Sequence, residues 1–269
     1  MATTVDSEQV KAAVRETYGR IATETRSTGC CGSSSCCGTG AQTTSEAIGY
    51  TDEERRAAPD GADLGLGCGN PQAIAELKPG ERVLDLGSGA GFDAFLAARQ
   101  VGEAGSVIGV DMTIEMLAKA RANAGKTGLR NVDFRLGEIE HLPVADASVD
   151  VIMSNCVINL STDKPAVFRE AFRVLAPGGR LAIADIVATR EIPDAVRNDL
   201  KAYAGCVSGA ALVADVEALL YAAGFKDVSI EFNGNSASLV EGWSPGAGSL
   251  VVSALIRATK PPASDAAMG

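Results

Sequence analysis

The stretch Val83-Leu84-Asp85-Leu86-Gly87-Ser88-Gly89-Ala90-Gly91 constrains this chain more than any other. An apolar run with the look of a buried strand opens into three glycines at alternate positions, and glycine permits turns and close approaches that a Cβ forbids. Asp111 stands twenty residues beyond Gly91, at the end of the next strand-like run. A carboxylate there can accept both ribose hydroxyls of an adenosine-containing cofactor. Loop and acid at this spacing say much more together than glycines alone, and the arrangement G-x-G-x-G differs from the G-x-G-x-x-G of pyrophosphate cradles. The bland alternative is a tight strand-to-helix turn followed by an exposed aspartate.

From Arg82 onward the apolar pattern alternates between strand and helix periods. Val83–Leu86, Val107–Val110, Val132–Leu136, Val149–Met153 and Arg180–Val187 read as strands. Asp93–Val101, Thr113–Ala124 and Asp163–Leu175 read as helices between them, the last ended by Pro177-Gly178-Gly179. Such alternation predicts an α/β fold with a doubly wound, mostly parallel sheet, whose ligands sit at the carboxyl ends of the strands. Ahead of it, Val10, Val14, Tyr18 and Ile21 fall at helical spacing within residues 7–25, and Gly29–Gly40 reads as a loop. Beyond Arg190 the pattern loosens into helices near 193–204 and 213–223, then strand-like stretches at 226–232 and 249–258. The expected organisation is an N-terminal helix with a Cys-rich loop (1–60), a cofactor-binding α/β domain (61–189), a small α+β appendage (190–260) and a disordered tail (261–269).

Unusual chemistry in this chain has to come from sulfur. It holds seven cysteines and a single histidine, His141. One histidine excludes a multi-histidine metal site and would leave a Ser-His-Asp mechanism hanging on that residue. A formal charge of −10, from 24 basic and 34 acidic residues, leaves no basic surface to neutralise phosphates, so no nucleic-acid partner is expected. No apolar run reaches the ~20 residues that span a bilayer, and the first residues lack the pattern of a secretory signal. A cytoplasmic protein with reduced thiols is expected, and no membrane partner. The odd cysteine number argues against a fully paired disulfide framework. Four cysteines crowd together as Cys30, Cys31, Cys36 and Cys37, while Cys68, Cys156 and Cys206 are solitary. Cys156 follows Asn155 at the carboxyl end of the fourth strand, Cys68 lies on the loop leading into the cofactor half, and Cys206 opens a segment able to fold over the sheet edge. Three distant thiols can thus converge on one point. Each taken alone also reads as a small buried hydrophobe, and a tri-thiolate zinc site is a further reading that lacks a fourth ligand.

The loop led by Asp85 resembles motif I of the class I S-adenosylmethionine-dependent methyltransferases. The resemblance implies that Asp85, Gly87, Gly89 and Gly91 surround the methionine part of S-adenosylmethionine, that Asp111 holds the ribose, and that Met112 lies on the adenine face. It places Ile139 and Glu140, in Gly137-Glu138-Ile139-Glu140, at the adenine edge, and Asn155 near the methionine and the methyl group. The run Arg173-Val174-Leu175-Ala176-Pro177-Gly178-Gly179 is typical of the same family in a structural role.

Within that class, Asp63-Leu64-Gly65-Leu66-Gly67-Cys68-Gly69-Asn70-Pro71, Ser154-Asn155-Cys156-Val157-Ile158-Asn159-Leu160 and Ala204-Gly205-Cys206-Val207-Ser208-Gly209-Ala210 resemble signatures of arsenite methyltransferases. That similarity implies trivalent arsenic as substrate, held by Cys68, Cys156 and Cys206 and delivered as a thiol conjugate. It also implies methylated arsenicals as products and a thiol reductant of thioredoxin or glutathione type as partner. Some members carry an aromatic residue two positions before the first of these cysteines, where this chain has Leu66.

The chemistry is consistent on its own terms. As(III) and thiolates are both soft, and three As–S bonds leave a lone pair able to displace methyl from a sulfonium in line. No proton is removed from arsenic, so a histidine-poor protein needs no general base. The vicinal pairs Cys30-Cys31 and Cys36-Cys37 suit capture of arsenite; a zinc or iron–sulfur site and a dispensable redox-labile loop are the alternatives, although doubled cysteines depart from C-x₂-C spacing. His141 reads as a polar loop residue near the adenine, Asp185 equally as pocket lining or as a cap, and Trp243 as packing for the appendage. Two rivals stay open: a small-molecule C- or O-methyltransferase whose cysteines only pack, and a non-catalytic thiol-rich protein that sequesters or senses the metalloid.

Overall fold

A computed structural model describes residues 6–24, 45–234, 240–241 and 247–263. Cys30, Cys31, Cys36, Cys37, Trp243 and the end of the expected tail lie outside the described residues. Strands Arg82–Leu86 (β1), Ser106–Asp111 (β2), Val132–Leu136 (β3), Val149–Asn155 (β4), Leu175–Ala188 (β5), Lys226–Phe232 (β6) and Val251–Thr259 (β7) form one seven-stranded sheet in the order β3-β2-β1-β4-β5-β7-β6. β1 to β5 run parallel, and β7 lies antiparallel between β5 and β6. The helices are Ser7–Thr23 (α1), Asp52–Ala57 (α2), Gln72–Ala75 (α3), Phe92–Val101 (α4), Ile114–Thr127 (α5), Lys164–Val174 (α6), Asp194–Arg197 (α7), Leu200–Ala204 (α8) and Val213–Ala223 (α9).

Alternate residues of each strand feed opposite faces. On one face Val83 of β1 packs with Phe95 and Ala98 of α4 and Leu117 of α5. On the other, Leu84 and Leu86 join Phe168 of α6 and Leu220 of α9. Strands buried on both faces must read as continuous apolar runs, which is why β1 and β4 are plain in the sequence. A third apolar cluster caps the carboxyl end of the sheet, and it joins Val10 and Val14 of α1 to Cys68, Cys156, Cys206 and Tyr203.

Three expectations need correction. α6 stops at Val174 and β5 already begins at Leu175, so Pro177-Gly178-Gly179 lies inside a strand and does not end the helix. The pairing of β4 with β5 is irregular there, running from Val149↔Leu175 directly to Val151↔Arg180. A proline with no N–H to donate is accommodated at such an irregularity. The expected helix over 193–204 is two short helices, separated at Asn198 and Asp199. Finally, segment 190–260 is not set apart from the sheet, because β6 and β7 extend it beyond β5. Nine consecutive register pairs, Arg180↔Thr259 to Ala188↔Val251, join β7 to β5.

Candidate functional site

The strand order reverses beside β1, where β2 and β3 lie to one side and β4 and β5 to the other, and ligands of open α/β sheets bind at such a switch point. At the carboxyl ends an open cleft of about 1110 Å³ is lined by Asp85, Gly87, Gly89, Asp111, Met112, Ile139, Glu140, Asn155 and Cys156. Eight of the nine residues expected to bind the cofactor line this cleft. Gly91 is the exception: it is the left-handed N-cap of α4 and turns the chain out of the loop. Gly87 shows why the loop needs glycine, since its φ is +66° and a Cβ there would stand 2.4 Å from Val157 Cγ2.

Polar groups in the cleft are buried and only partly satisfied. Asp85 is 2% exposed and its Oδ2 has no hydrogen-bond partner among the described residues, nor has Ser88 Oγ. Asp111 accepts from Gly89 N–H (2.9 Å) and Thr113 N–H (2.8 Å). Asp93 accepts from Tyr50 Oη–H at 2.6 Å and from Asn155 Nδ2 at 3.3 Å. Burial is the leading cause in raising all three carboxyls, and it pushes Asp93 up to about 6. Glu140 accepts from Ser161 Oγ at 2.6 Å, and Glu138 is gripped by Lys11 and Arg15 of α1. His141 is exposed in the following turn and its N–H bonds Glu138 O.

The sequence reading missed Tyr50, Asp93 and the roof formed by Lys11, Val14 and Tyr18. Asp93 did leave one signal, a carboxylate in the first turn of a helix whose next five residues are apolar. The roof left none, because α1 reaches the cleft only through tertiary packing.

Cys68, Cys156 and Cys206 lie in one apolar cluster, and the expectation that all three are free thiols is corrected for the first two. Cys68 and Cys156, with Cα atoms 5.9 Å apart, are joined as a disulfide, and Cys206 is free and buried. Two cysteines at that separation are within bonding range. Asn155 sets the approach: its Oδ1 accepts from Cys68 N–H (3.0 Å) and its Nδ2 donates to Gly69 O (2.9 Å). It therefore clamps the Cys68 loop as well as lining the cleft. A Cβ at Gly69 would stand 2.8 Å from Ala184 Cβ, so glycine is what lets this loop lie against β5. Ser253 Oγ of β7 donates to Cys68 O at 2.8 Å.

Cys206 Sγ donates to Cys156 O at 3.2 Å and is also hydrogen-bonded to the Tyr18 side chain. Both Cys156 and Cys206 have left-handed backbones, with φ of +56° and +63°, which is unusual for residues bearing a side chain. Burial, then the nearby Asp185 carboxylate, pushes the Cys206 thiol up. Asp185 is not on the wall of the cleft and acts as a cap. Its oxygens accept from Ile158 N–H (2.9 Å), Asn159 Nδ2 (2.9 Å) and Ile186 N–H (2.7 Å). One of them also lies within 4.8 Å of both Cys68 and Cys156 sulfurs. Burial pushes Asp185 up to about 6 and Lys164, whose ammonium donates to Ser161 O, down to about 8.

Comparison with known proteins follows this geometry. Residues 77–224 match a family described as a methyltransferase domain. An arsenite methyltransferase of Halobacterium salinarum is 49% identical over 97% of this chain and 69% of its own length. Arsenite methyltransferases of Aquipseudomonas alcaligenes and Homo sapiens are 49% and 38% identical over 60% and 59% of the chain. The chain spans only 48% and 44% of those two proteins. Among solved structures, an arsenic(III) S-adenosylmethionine methyltransferase from Chlamydomonas reinhardtii superposes with a TM-score of 0.62 and 37% identity, covering 80% of this chain and 72% of that one.

Proposed function

The chain belongs to the arsenite methyltransferase family, on the class I methyltransferase fold, and from that premise we propose that it transfers methyl from S-adenosylmethionine to As(III) held by Cys68, Cys156 and Cys206. The observation that carries this reading is the meeting of all three solitary cysteines in one buried cluster, with Cys156 also on the wall of the cofactor cleft.

The residues present fit the cofactor. The unpartnered Asp85 oxygen and Ser88 hydroxyl await polar groups, and the glycine loop leaves the space a Cβ would fill. When bound, S-adenosylmethionine supplies an electrophilic methyl on a sulfonium. The buried carboxylates of Asp85 and Asp93 line the cleft and would balance the cofactor's positive charge, which offsets the cost of ionising them. Asp111 would take the ribose hydroxyls, Met112 would meet the adenine face, and Ile139 and Glu140 would hold its edge.

Three thiolates hold arsenic in a pyramid and leave its lone pair free. Positioning does the rest: the arsenic–carbon bond forms as the carbon–sulfonium bond breaks, and its electron pair stays on the departing sulfur. Arsenic loses two electrons formally in this step, so a thiol reductant must return them before another round. A reductant of thioredoxin or glutathione type also opens the Cys68–Cys156 disulfide, by delivering two electrons and two protons. Need for reduced thiols places the reaction in the cytoplasm. Arsenite arrives as a thiol conjugate, and Cys30, Cys31, Cys36 and Cys37 capture it and pass it inward.

Incubation of the chain with S-adenosylmethionine, a thiol reductant and arsenite, followed by speciation of the arsenic, tests the reading. Methylated arsenicals and S-adenosylhomocysteine are expected only when arsenite is present. Cys156→Ser should lower turnover by ~100-fold or more, the scale of a lost positioning group. Equal cofactor turnover with and without arsenite would overturn the proposal, and tight arsenite binding without methylated product would favour the sequestering protein.

A further inference from the structure

The carboxylate beside the thiols has no part in the methyl transfer. Arsenic(III) takes three sulfurs and keeps a lone pair, whereas zinc takes four ligands in a tetrahedron, commonly from thiolate and carboxylate. The missing fourth ligand weakened a zinc reading of the cysteines at the level of sequence, and Asp185 supplies it. We propose that the reduced site is a specific binding site for Zn²⁺ and related thiophilic dications, with Cys68, Cys156 and Asp185 as ligands and Cys206 completing the tetrahedron, so that zinc and arsenite exclude one another. This rests on the reading that these cysteines are the arsenic ligands.

The geometry already brings three of the four donors together. Cys68 Sγ, Cys156 Sγ and an Asp185 oxygen lie within 4.8 Å of one another, all three residues buried. Tetrahedral zinc needs sulfurs about 3.8 Å apart, a spacing the pair can reach once the disulfide between them is open. Cys206 Sγ is not among those three and donates to the carbonyl of Cys156 at 3.2 Å, so it completes the tetrahedron by turning from that carbonyl toward the metal. Hydrogen bonds from Ile158, Asn159 and Ile186 fix the Asp185 carboxylate from behind, the kind of outer support that orients a metal ligand. Opening the site takes two electrons and two protons, from a dithiol that closes to its own disulfide or from a phosphine that becomes the phosphine oxide with oxygen from water. Metal binding then releases thiol protons to solvent.

The test uses the full chain carrying C30S, C31S, C36S and C37S, which removes the other cysteines. It is reduced with a phosphine and titrated anaerobically with Co²⁺ and then Zn²⁺. One cobalt per chain is expected, with thiolate-to-cobalt charge transfer in the near ultraviolet and intense tetrahedral bands in the visible, all bleached by zinc. Arsenite should compete with zinc one for one, and Cys68→Ser should lose the charge-transfer band. Asp185→Asn should weaken zinc more than about tenfold yet change arsenite affinity less than about threefold, since arsenic needs only the sulfurs. A merely structural role for Asp185 would weaken both alike, and that outcome, or the absence of cobalt bands in the reduced protein, overturns the proposal. If D185N does not fold, Asp185→Ser reads the same split. Cobalt and zinc binding without arsenite binding would instead overturn the arsenic reading and leave the zinc site standing.

Discussion

Asp93 is a carboxylate that the fold holds against its own interest. Burial raises it to about 6 against hydrogen bonds from Tyr50, Asn155 and Gln72, and burial does the same to Asp185. An acid whose folded pKa lies above its unfolded value destabilises the fold once ionised; the cost begins as pH passes ~4 and is complete above ~6. The cofactor-free chain should therefore lose about 1 kcal/mol per such carboxylate between pH 5 and 7.5, measured by urea unfolding. Asp93→Asn should flatten that slope. Glu138, Asp150 and Glu170 act with the opposite sign, since hydrogen bonds from Lys11, Arg82 and Arg173 lower them. Their contribution is lost only as pH falls below the ordinary carboxylate range, so the two sets do not overlap. A cationic cofactor favours ionised Asp93, and its dissociation constant in calorimetry should rise as pH falls through about 6. At the same scale, Gly87→Ala should cost about 1–3 kcal/mol in unfolding and weaken cofactor binding, because the new Cβ meets Val157 at a φ of +66°.

Among the elements, α1 links the two halves of the site. Val10 and Val14 are buried in the cluster that holds the cysteines, Lys11 and Arg15 reach Glu138 after β3, and Tyr18 touches Cys206. The apolar spacing that makes α1 a helix was plain in the sequence. Its partners were not, because Glu138 lies 127 residues from Lys11 and nothing local announces the pairing. Glu138→Gln should cost no more than about 1 kcal/mol of stability, as befits a half-exposed ion pair. It should speed cofactor release in stopped-flow measurements at low salt, and the difference from the native chain should shrink as salt screens the pair.

For the whole molecule, the parallel half of the sheet was legible because its strands are apolar on both faces and end in recognisable turns. Asp111 and the glycine loop then located the cleft without any knowledge of packing. The antiparallel half was not placed: β6 and β7 looked like strands, but β5, on which β7 pairs, ends more than sixty residues before β7 begins. The disulfide escaped notice for the same reason, since Cys68 and Cys156 are 88 residues apart. The region matched as a methyltransferase domain stops at residue 224, yet β7 shields the edge of β5 and its Ser253 holds the Cys68 loop. A chain ending at Gly224 should leave β5 as a long apolar edge prone to pair with other copies. It is expected to aggregate on size-exclusion chromatography, whereas Ser253→Ala should stay folded and lose about 1–2 kcal/mol.

The left-handed backbones of Cys156 and Cys206 carry a different message on the timescale of descent. At φ of +56° and +63°, each residue occupies conformational territory where glycine would relax the chain by roughly 1 kcal/mol. Selection for folding alone would thus erode both thiols. On the proposed reading it is exposure to arsenite that opposes that drift, so a lineage long settled in clean water should be recognisable by glycines where these two cysteines stand.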